Sequence, residues 1–387
     1  MIPTNTSRLR KFVSPEFVYG SGARMLAGQY ARNFGARKVL LVTDPGVVRT
    51  GYVDEVVQTL TEVGVSVHLF DQVSSNPRVE EVMEGALLYQ AGGCNGIVAV
   101  GGGSAIDCAK GIGIVSAHHE HIISFEGVDQ VKRPGPPLVC VPTTAGSSAD
   151  LSQFAIIYDQ TRRRKFAIIS KAIVPDVSLI DPDTLITLPS HLIAVTGFDA
   201  LAHAIEAFVS NASSPITDLQ ALAAIRLLAT TLPQVTESTT NGQRESLMLA
   251  SLEAGLAFSN ASLGASHAMA HALGGLLDIP HGVCNAILLE KVVAFNFSAV
   301  PERYTRIGEI FGLDLKDKSD QEVKESVCAG IRGLAAGIKD MPDLKMLGVT
   351  RDVISLMAAD AMEDPCMVTN PKKPTVEEIE AIYEELL

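Results

Sequence analysis

No Cys-x-x-Cys pair occurs among the six cysteines, Cys94, Cys108, Cys140, Cys284, Cys328 and Cys366, and their scatter excludes both a disulfide framework and a cysteine-rich zinc module. They read as buried thiols of a reducing compartment. Positive charge is also scarce: 31 Lys and Arg against 44 Asp and Glu leave a net charge of -13, which argues against a broad basic surface for nucleic acid or anionic membrane. No uninterrupted apolar run approaches the roughly 18 residues of a membrane span. Arg8, Arg10 and Lys11 are not followed by the apolar stretch of a secretion signal, so a cytoplasmic protein is expected. Repeats, low-complexity tracts and disordered linkers are missing too.

What is present is a chain of 387 residues, 47% hydrophobic, too long for one small core and rich enough for two. Its first half alternates short β-branched runs with helical segments. Lys38 to Thr43, Val65 to Phe70 and Gly96 to Val100 read as strands, and residues 51–63 and 78–91 as the helices between them. Another strand, Leu138 to Val141, follows the break at Pro134-Gly135-Pro136-Pro137. That alternation implies βαβ units around a parallel sheet. Beyond about residue 190 strand signals fade, and apolar residues recur at helical spacing, as in Leu222, Ile225, Leu228 and Leu232. The last helix is announced by the capping box Thr375-x-x-Glu378. The expected division is an α/β domain over 1–190 and an all-helical domain over 191–387, with a cleft between them.

In the α/β half, the third strand runs into Gly101-Gly102-Gly103-Ser104 and then into a helical segment containing Asp107. Glycines at a strand-to-helix turn let backbone N–H groups approach a pyrophosphate, and the helix N-terminus adds favourable partial charge. The run matches neither Gly-x-Gly-x-x-Gly nor a Walker loop, and glycine runs are also ordinary tight turns. Asp44 ends the first strand, where a carboxylate can accept from ribose hydroxyls and repel a 2′-phosphate; Asp44-Pro45-Gly46 is equally good turn chemistry. Thr143 and Thr144 close the strand after Pro137 with hydroxyls. The run Arg162-Arg163-Arg164-Lys165 reads as a solvated turn.

The helical half carries one carboxylate and four imidazoles in apolar surroundings. Asp199-x3-His203 and His267-x3-His271 each place two side chains on one helix face, and His281 follows Pro280 at a turn that can swing its ring back. A lone histidine in such a helix is usually a satisfied core residue, and Asp199, just after Thr196-Gly197, would also suit a helix start. Five such groups in three apolar segments are harder to dismiss, because each is costly to bury uncompensated. A carboxylate with imidazoles suits zinc or ferrous iron.

Together these motifs resemble the iron-containing, or group III, alcohol dehydrogenase family. The matching runs are Gly-Gly-Gly-Ser-Ala-Ile-Asp-Cys-Ala-Lys from Gly101, Val-Pro-Thr-Thr-Ala-Gly from Val141, Asp-Pro-Asp-Thr-Leu from Asp181, Thr-Gly-Phe-Asp-Ala-Leu-Ala-His-Ala-Ile-Glu-Ala from Thr196, His-Ala-Met-Ala-His-Ala-Leu-Gly from His267 and Pro-His-Gly-Val-Cys-Asn-Ala from Pro280. The likeness extends from Phe17 to Pro371. It implies a dehydroquinate-synthase-like architecture and metal ligands Asp199, His203, His267 and His281, with His271 beside the metal without being a usual ligand; sharing a helix face with His267, His271 is expected to act as a catalytic general base, the alternative being an orienting role behind the ligands. It also implies cofactor contacts from Asp44, Gly101, Gly102, Gly103, Ser104, Asp107, Thr143, Thr144 and Lys165, and an apolar pocket wall from Phe154 and Phe258. Two departures are Ser147-Ser148-Ala149-Asp150 after the Thr-Thr-Ala-Gly loop and Glu290 after Leu288-Leu289.

The implied reaction is hydride transfer between NAD and a small alcohol or diol, with a divalent cation as Lewis acid at the oxygen, in a homodimer or larger homo-oligomer. The resemblance favours iron, although zinc ordinarily outcompetes ferrous iron at such ligands. A carbon–oxygen lyase of the dehydroquinate synthase type shares these parts, but its anionic substrate needs several cations near the metal. Between Asp199 and His281 only Arg226 and Arg244 occur, outside the metal motifs. A non-catalytic scaffold binding both metal and nucleotide is the third reading.

Overall fold

The computed structural model describes residues 11–235, 239–338 and 341–387; Arg8 and Arg10 of the basic N-terminal segment lie outside them. Among the described residues nine strands occur, β1 (Glu16–Tyr19), β2 (Lys38–Val42), β3 (Ser66–Phe70), β4 (Gly96–Gly101), β5 (Gly127–Val128), β6 (Leu138–Pro142), β7 (Phe154–Asp159), β8 (Arg164–Ile169) and β9 (Val177–Ile180). Six form a sheet in the order β1-β9-β6-β4-β2-β3, with every neighbouring pair parallel.

The alternation of side chains along a strand explains why this sheet is covered on both faces. Val39 and Leu41 of β2 pack with Ala27, Val53, Val56 and Leu60 on one side. Leu40 and Val42 pack on the other with Val82, Ile106 and Ile112, from the helices Val79–Ala91 and Gly103–His118. Register then fixes where a ligand can sit. Val42 aligns with Ala99, and Gly101 with Pro142, so Asp44, Gly102 and Thr143 follow the carboxyl ends of three adjacent strands. That edge is where open α/β sheets bind ligands.

A second sheet, β5-β8-β7, is built on the antiparallel hairpin β7–β8. Here the sequence expectation needs correction. Arg162 and Arg163 do form the turn, with Arg163 at φ 50°, but Arg164 and Lys165 open β8, and Lys165 is buried.

After Ile180 no strand occurs among the described residues, and the chain is helical to its end. Five helices carry or frame the candidate ligands: Ser190–Val209, Pro215–Thr231, Asn241–Ala261, Ala265–Leu277 and His281–Asn296. Ile225 and Leu228 are fully buried, as their spacing implies. The final helix, Val376–Glu384, has the expected reciprocal cap, Glu378 N–H to Thr375 Oγ1 at 3.2 Å and Thr375 N–H to Glu378 Oε2 at 3.0 Å. Two stretches, Ser190–Val209 and His281–Ala299, match a membrane span in length and mean hydropathy, but the apolar window of the first is 89% buried in this fold. The two halves meet closely at Gly146, where a Cβ would lie 2.4 Å from the Thr196 carbonyl oxygen, so only glycine permits the approach.

Candidate active site

A cleft of about 800 Å³ lies between the sheet edge and the helices. Asp199, His203, His267, His271 and His281 reach it from the helical side, and Asp44, Gly102, Gly103, Ser104, Asp107, Thr143, Thr144 and Lys165 line it from the other. Gly101 does not line it. As the last residue of β4 it serves the turn instead, since a Cβ there would lie 2.6 Å from that of Ala105.

Asp199 sits in the middle of its helix, which begins at Ser190, so a helix-start role is ruled out. One ligand atom from each of Asp199, His203, His267 and His281 lies within 4.8 Å of the others. Two of the rings are oriented by buried acceptors. His203 Nδ1–H donates to the Gly146 carbonyl at 3.2 Å, and His267 Nδ1–H donates to Glu206 Oε2 at 2.6 Å, leaving both Nε2 atoms with free lone pairs. His203 is further clamped by stacking between Phe258 and His267, with centroids at 4.3 and 4.4 Å. His281 is the first residue of its helix, after Pro280, and its Nε2 lies 3.8 Å from Asp199 Oδ1.

The donor set itself tests whether a cation fits. Asn285 Nδ2 donates to Asp199 Oδ1 at 2.7 Å and also lies 3.1 Å from both His267 Nε2 and His281 Nε2. Three acceptors therefore converge on an amide with only two hydrogens. A cation satisfies such a convergence of lone pairs where an amide cannot, and the residues fit a divalent metal. Burial favours the same state. It pushes His203 down to about 3 against the partial opposition of Asp199, and it holds His267 and His281 well below the ordinary imidazole value, so all three rings stay neutral and available as ligands.

Behind these groups stand residues that the sequence reading did not single out. Glu206 accepts from Ser266 N–H at 2.6 Å and His267 N–H at 3.4 Å as well as from the ring; burial pushes its carboxyl up to about 7 against those N–H donors. Asn285 is oriented by Ser266 Oγ–H, which donates to its Oδ1 at 3.2 Å. His271 Nδ1 lies 2.8 Å from Asp364 Oδ2. Glu206 had a signal of its own: it falls three residues after His203 in the otherwise apolar stretch 204–209, where an acid must have a partner.

On the opposite wall Asp44 Oδ1 accepts from Gly46 N–H at 2.8 Å and Val47 N–H at 3.0 Å, capping the short helix Pro45–Val48. Its turn role and its place in the cleft thus coexist, with Oδ2 left for a ligand hydroxyl. Arg49 lines the same region, so a cation stands nearer Asp44 than sequence adjacency implies. Ser104 Oγ–H is committed to the Ser75 carbonyl. Asp107 Oδ2 accepts from Ile156 N–H at 3.1 Å while buried Oδ1 accepts no hydrogen bond and faces Lys110 Nζ at 4.0 Å, and burial raises its carboxyl to about 6 despite that ammonium. Burial also lowers the Lys165 amine, opposed by Cys284 and Asp278. Phe154 and Phe258, 5.7 Å apart, form the apolar wall.

Comparisons with known proteins identify the family. Residues 14–182 match the model of iron-containing alcohol dehydrogenase, and residues 193–387 match that of the Fe-containing alcohol dehydrogenase family, C-terminal. The chain is 40% identical over 370 residues to 1,3-propanediol dehydrogenase of Klebsiella pneumoniae, covering 95% of this chain and 96% of that protein. It is 34% identical over 386 residues to NAD-dependent methanol dehydrogenase of Bacillus methanolicus, covering 97% and 99%. A crystal structure of 1,3-propanediol oxidoreductase superposes with TM-score 0.94 at 38% identity, covering 98% of this chain and 100% of that one. The chain belongs to the iron-containing alcohol dehydrogenase family.

Proposed function

We propose that this family member, an alcohol oxidoreductase, interconverts a small, weakly charged primary alcohol or diol and its carbonyl partner, using NAD and a divalent metal held by Asp199, His203, His267 and His281. The observation that carries this reading is the facing of two walls across one cleft, glycine and hydroxyl groups at a sheet edge against a converged set of carboxylate and imidazole lone pairs. When bound there, the cation supplies Lewis acidity at the substrate oxygen and the nicotinamide supplies the hydride acceptor or donor.

The chain's own residues do the rest. Gly102, Gly103 and the N-terminus of the helix Gly103–His118 receive the pyrophosphate, and Asp44 Oδ2 accepts from ribose hydroxyls. Thr143, Thr144, Asp107 and Lys165, which line the same wall, would hold the rest of the cofactor. Phe154 and Phe258 exclude water from the reacting carbon. His271 Nε2 takes the alcohol proton in oxidation and returns it in reduction. Residues 1–190 act as the cofactor domain and 191–387 as the metal domain.

Substrate charge follows from what else faces the cleft. Apart from histidines, only Arg49 and Lys165 are basic there, too few for the multiply anionic substrate of a lyase of the dehydroquinate synthase type. The similarity to 1,3-propanediol dehydrogenase favours a diol among the candidates. Iron is the metal favoured by the family, with zinc as its competitor. Six free, buried thiols suit a cytoplasmic enzyme. The exposed edge strand β1, with Phe17 and Tyr19 about 40% exposed, offers a face for a second copy in a homo-oligomer. The test is elemental analysis of purified protein together with an alcohol and aldehyde panel followed by nicotinamide absorbance. Turnover of short alcohols or diols with about one metal per chain is expected. Protein that binds metal and dinucleotide but turns over no member of the panel would be a scaffold instead.

A further inference from the structure

The cleft histidine that the converged ligand set leaves over, His271, is backed by a carboxylate 93 residues away in the chain. Asp364 stands at the end of the helix Arg351–Glu363 and caps the turn Pro365–Thr369, its Oδ1 accepting from Cys366 N–H at 2.8 Å. Its Oδ2 faces His271 Nδ1 at 2.8 Å, and both side chains are buried. A carboxylate can only accept, so the proton must sit on Nδ1 and the lone pair on Nε2. Stacking on the His281 ring, 5.1 Å between centroids and 20° between planes, fixes the ring plane.

We propose that Asp364 is the positioning residue of proton transfer, holding His271 in the Nδ1–H tautomer so that Nε2 is the acceptor. The proposal rests on the reading of His271 as the base. In oxidation the alcohol O–H proton passes to Nε2 as the hydride leaves the carbon for the nicotinamide. The resulting imidazolium keeps its Nδ1–H on Asp364, which stays ionised, and Nε2 then releases its proton to water. Burial opposes ionisation of Asp364, but the His271 ring and the Cys366 N–H outweigh it and hold the carboxyl below its ordinary value. His271, Asp364 and Cys366 also offer three ligand atoms within 4.8 Å of one another, yet Oδ2 is already occupied by the ring N–H, which favours a hydrogen-bonded pair over a second cation site.

Asp364→Asn separates this role from simple packing. The Cys366 N–H retains the amide oxygen, so the NH2 group faces Nδ1, which must become the acceptor, and the proton moves to Nε2. Expected are an unchanged metal content, KM within about threefold, and kcat lower by roughly 10²- to 10⁴-fold, as when the partner of a catalytic imidazole imposes the wrong tautomer. Histidine ¹⁵N NMR of the zinc-loaded enzyme, with His271 assigned by its loss in His271→Gln, should show Nδ1–H in the unmodified protein and Nε2–H in Asp364→Asn. Because the first spectrum needs no change at 364, it decides even if the variant fails to fold. An Nε2–H tautomer in the unmodified enzyme, an unchanged kcat in a folded Asp364→Asn, or two metals per chain falling to one in that variant would overturn the proposal. An unchanged kcat in His271→Gln would instead remove the base reading, while the unmodified spectrum still reports whether Asp364 sets the tautomer.

Discussion

On the sheet side of the cleft Gly102, Gly103, Thr143 and Thr144 offer backbone N–H groups and hydroxyls at strand ends, while on the helical side Asp199, His203, His267 and His281 offer side-chain lone pairs, two of them aimed by buried acceptors. The first wall takes its shape from the main chain, so most of its side chains can change with little effect. The second is made of side-chain atoms on rigid helices, each depending on a partner such as Glu206 or Gly146. A phosphate can be cradled by any backbone that reaches it; a metal needs particular atoms at particular vertices.

The comparison breaks first at the ligands. His267→Ala or His281→Ala should strip or weaken the metal and abolish turnover together; full metal content with normal activity would remove that residue from the set. One step back, Glu206→Gln can still accept from the His267 ring but no longer as a carboxylate, and metal affinity should fall by about 10- to 100-fold with the fold intact. Metal titration followed by spectroscopy checks it, and an unchanged affinity would make Glu206 a packing residue only.

Acid should sharpen the contrast. In chelator-treated protein the buried rings of His203 and His267, and less strongly the part-buried ring of His281, resist protonation, whereas in the unfolded chain they protonate near the ordinary 6.5. The unfolded state then binds more protons, so the stability conferred by neutral rings is whole above pH ~6.5 and is lost as the pH falls below it, by up to ~2 kcal/mol per ring between pH 6.5 and 5. Glu206 and Asp107 work the other way. Burial raises them to about 7 and about 6, so their folded forms take up protons first and recover part of the loss as the pH falls from those values toward the unfolded 4.5 and 3.8. Urea denaturation at pH 7.5 and 5.0 should show a net loss at the lower pH, reduced in His203→Gln. A flat profile would mean that the rings are not held neutral.

The smallest effects belong to the sheet wall. Thr144→Ala should raise KM for NAD by no more than about tenfold, the net worth of one hydrogen bond. Asp44→Gly should narrow the preference for NAD over NADP without touching metal content; equal or better use of NADP by the unmodified enzyme would remove Asp44 from that role, and Arg49 in the same region makes the measurement informative.

Much of this was legible in the sequence because it is periodic or local. Alternating β-branched runs and helices marked β2, β3, β4 and β6 to within one residue, and the four-residue spacings put Asp199 with His203 and His267 with His271. Less visible was whatever depends on chain closure. The hairpin β7–β8 was masked by Arg162 to Lys165, since a basic run reads as solvent-facing even when its last member turns inward. Asn285 meets Asp199 across 86 residues and Asp364 meets His271 across 93, and contacts at such separations leave no period to read, although Asn285, four residues after His281, repeated the readable spacing.

The two walls are bonded to each other: the carbonyl of Gly146, on the loop after β6, accepts from the His203 ring, and that loop presses against Thr196 on the helix Ser190–Val209. Opening of the contact between Gly146 and Thr196 would cost His203 this acceptor and leave the stack of Phe258 and His267 as what still holds its ring. The loop after β6 therefore fixes the tautomer of a ring on the opposite wall, so that a change of sequence in one wall is felt in the other.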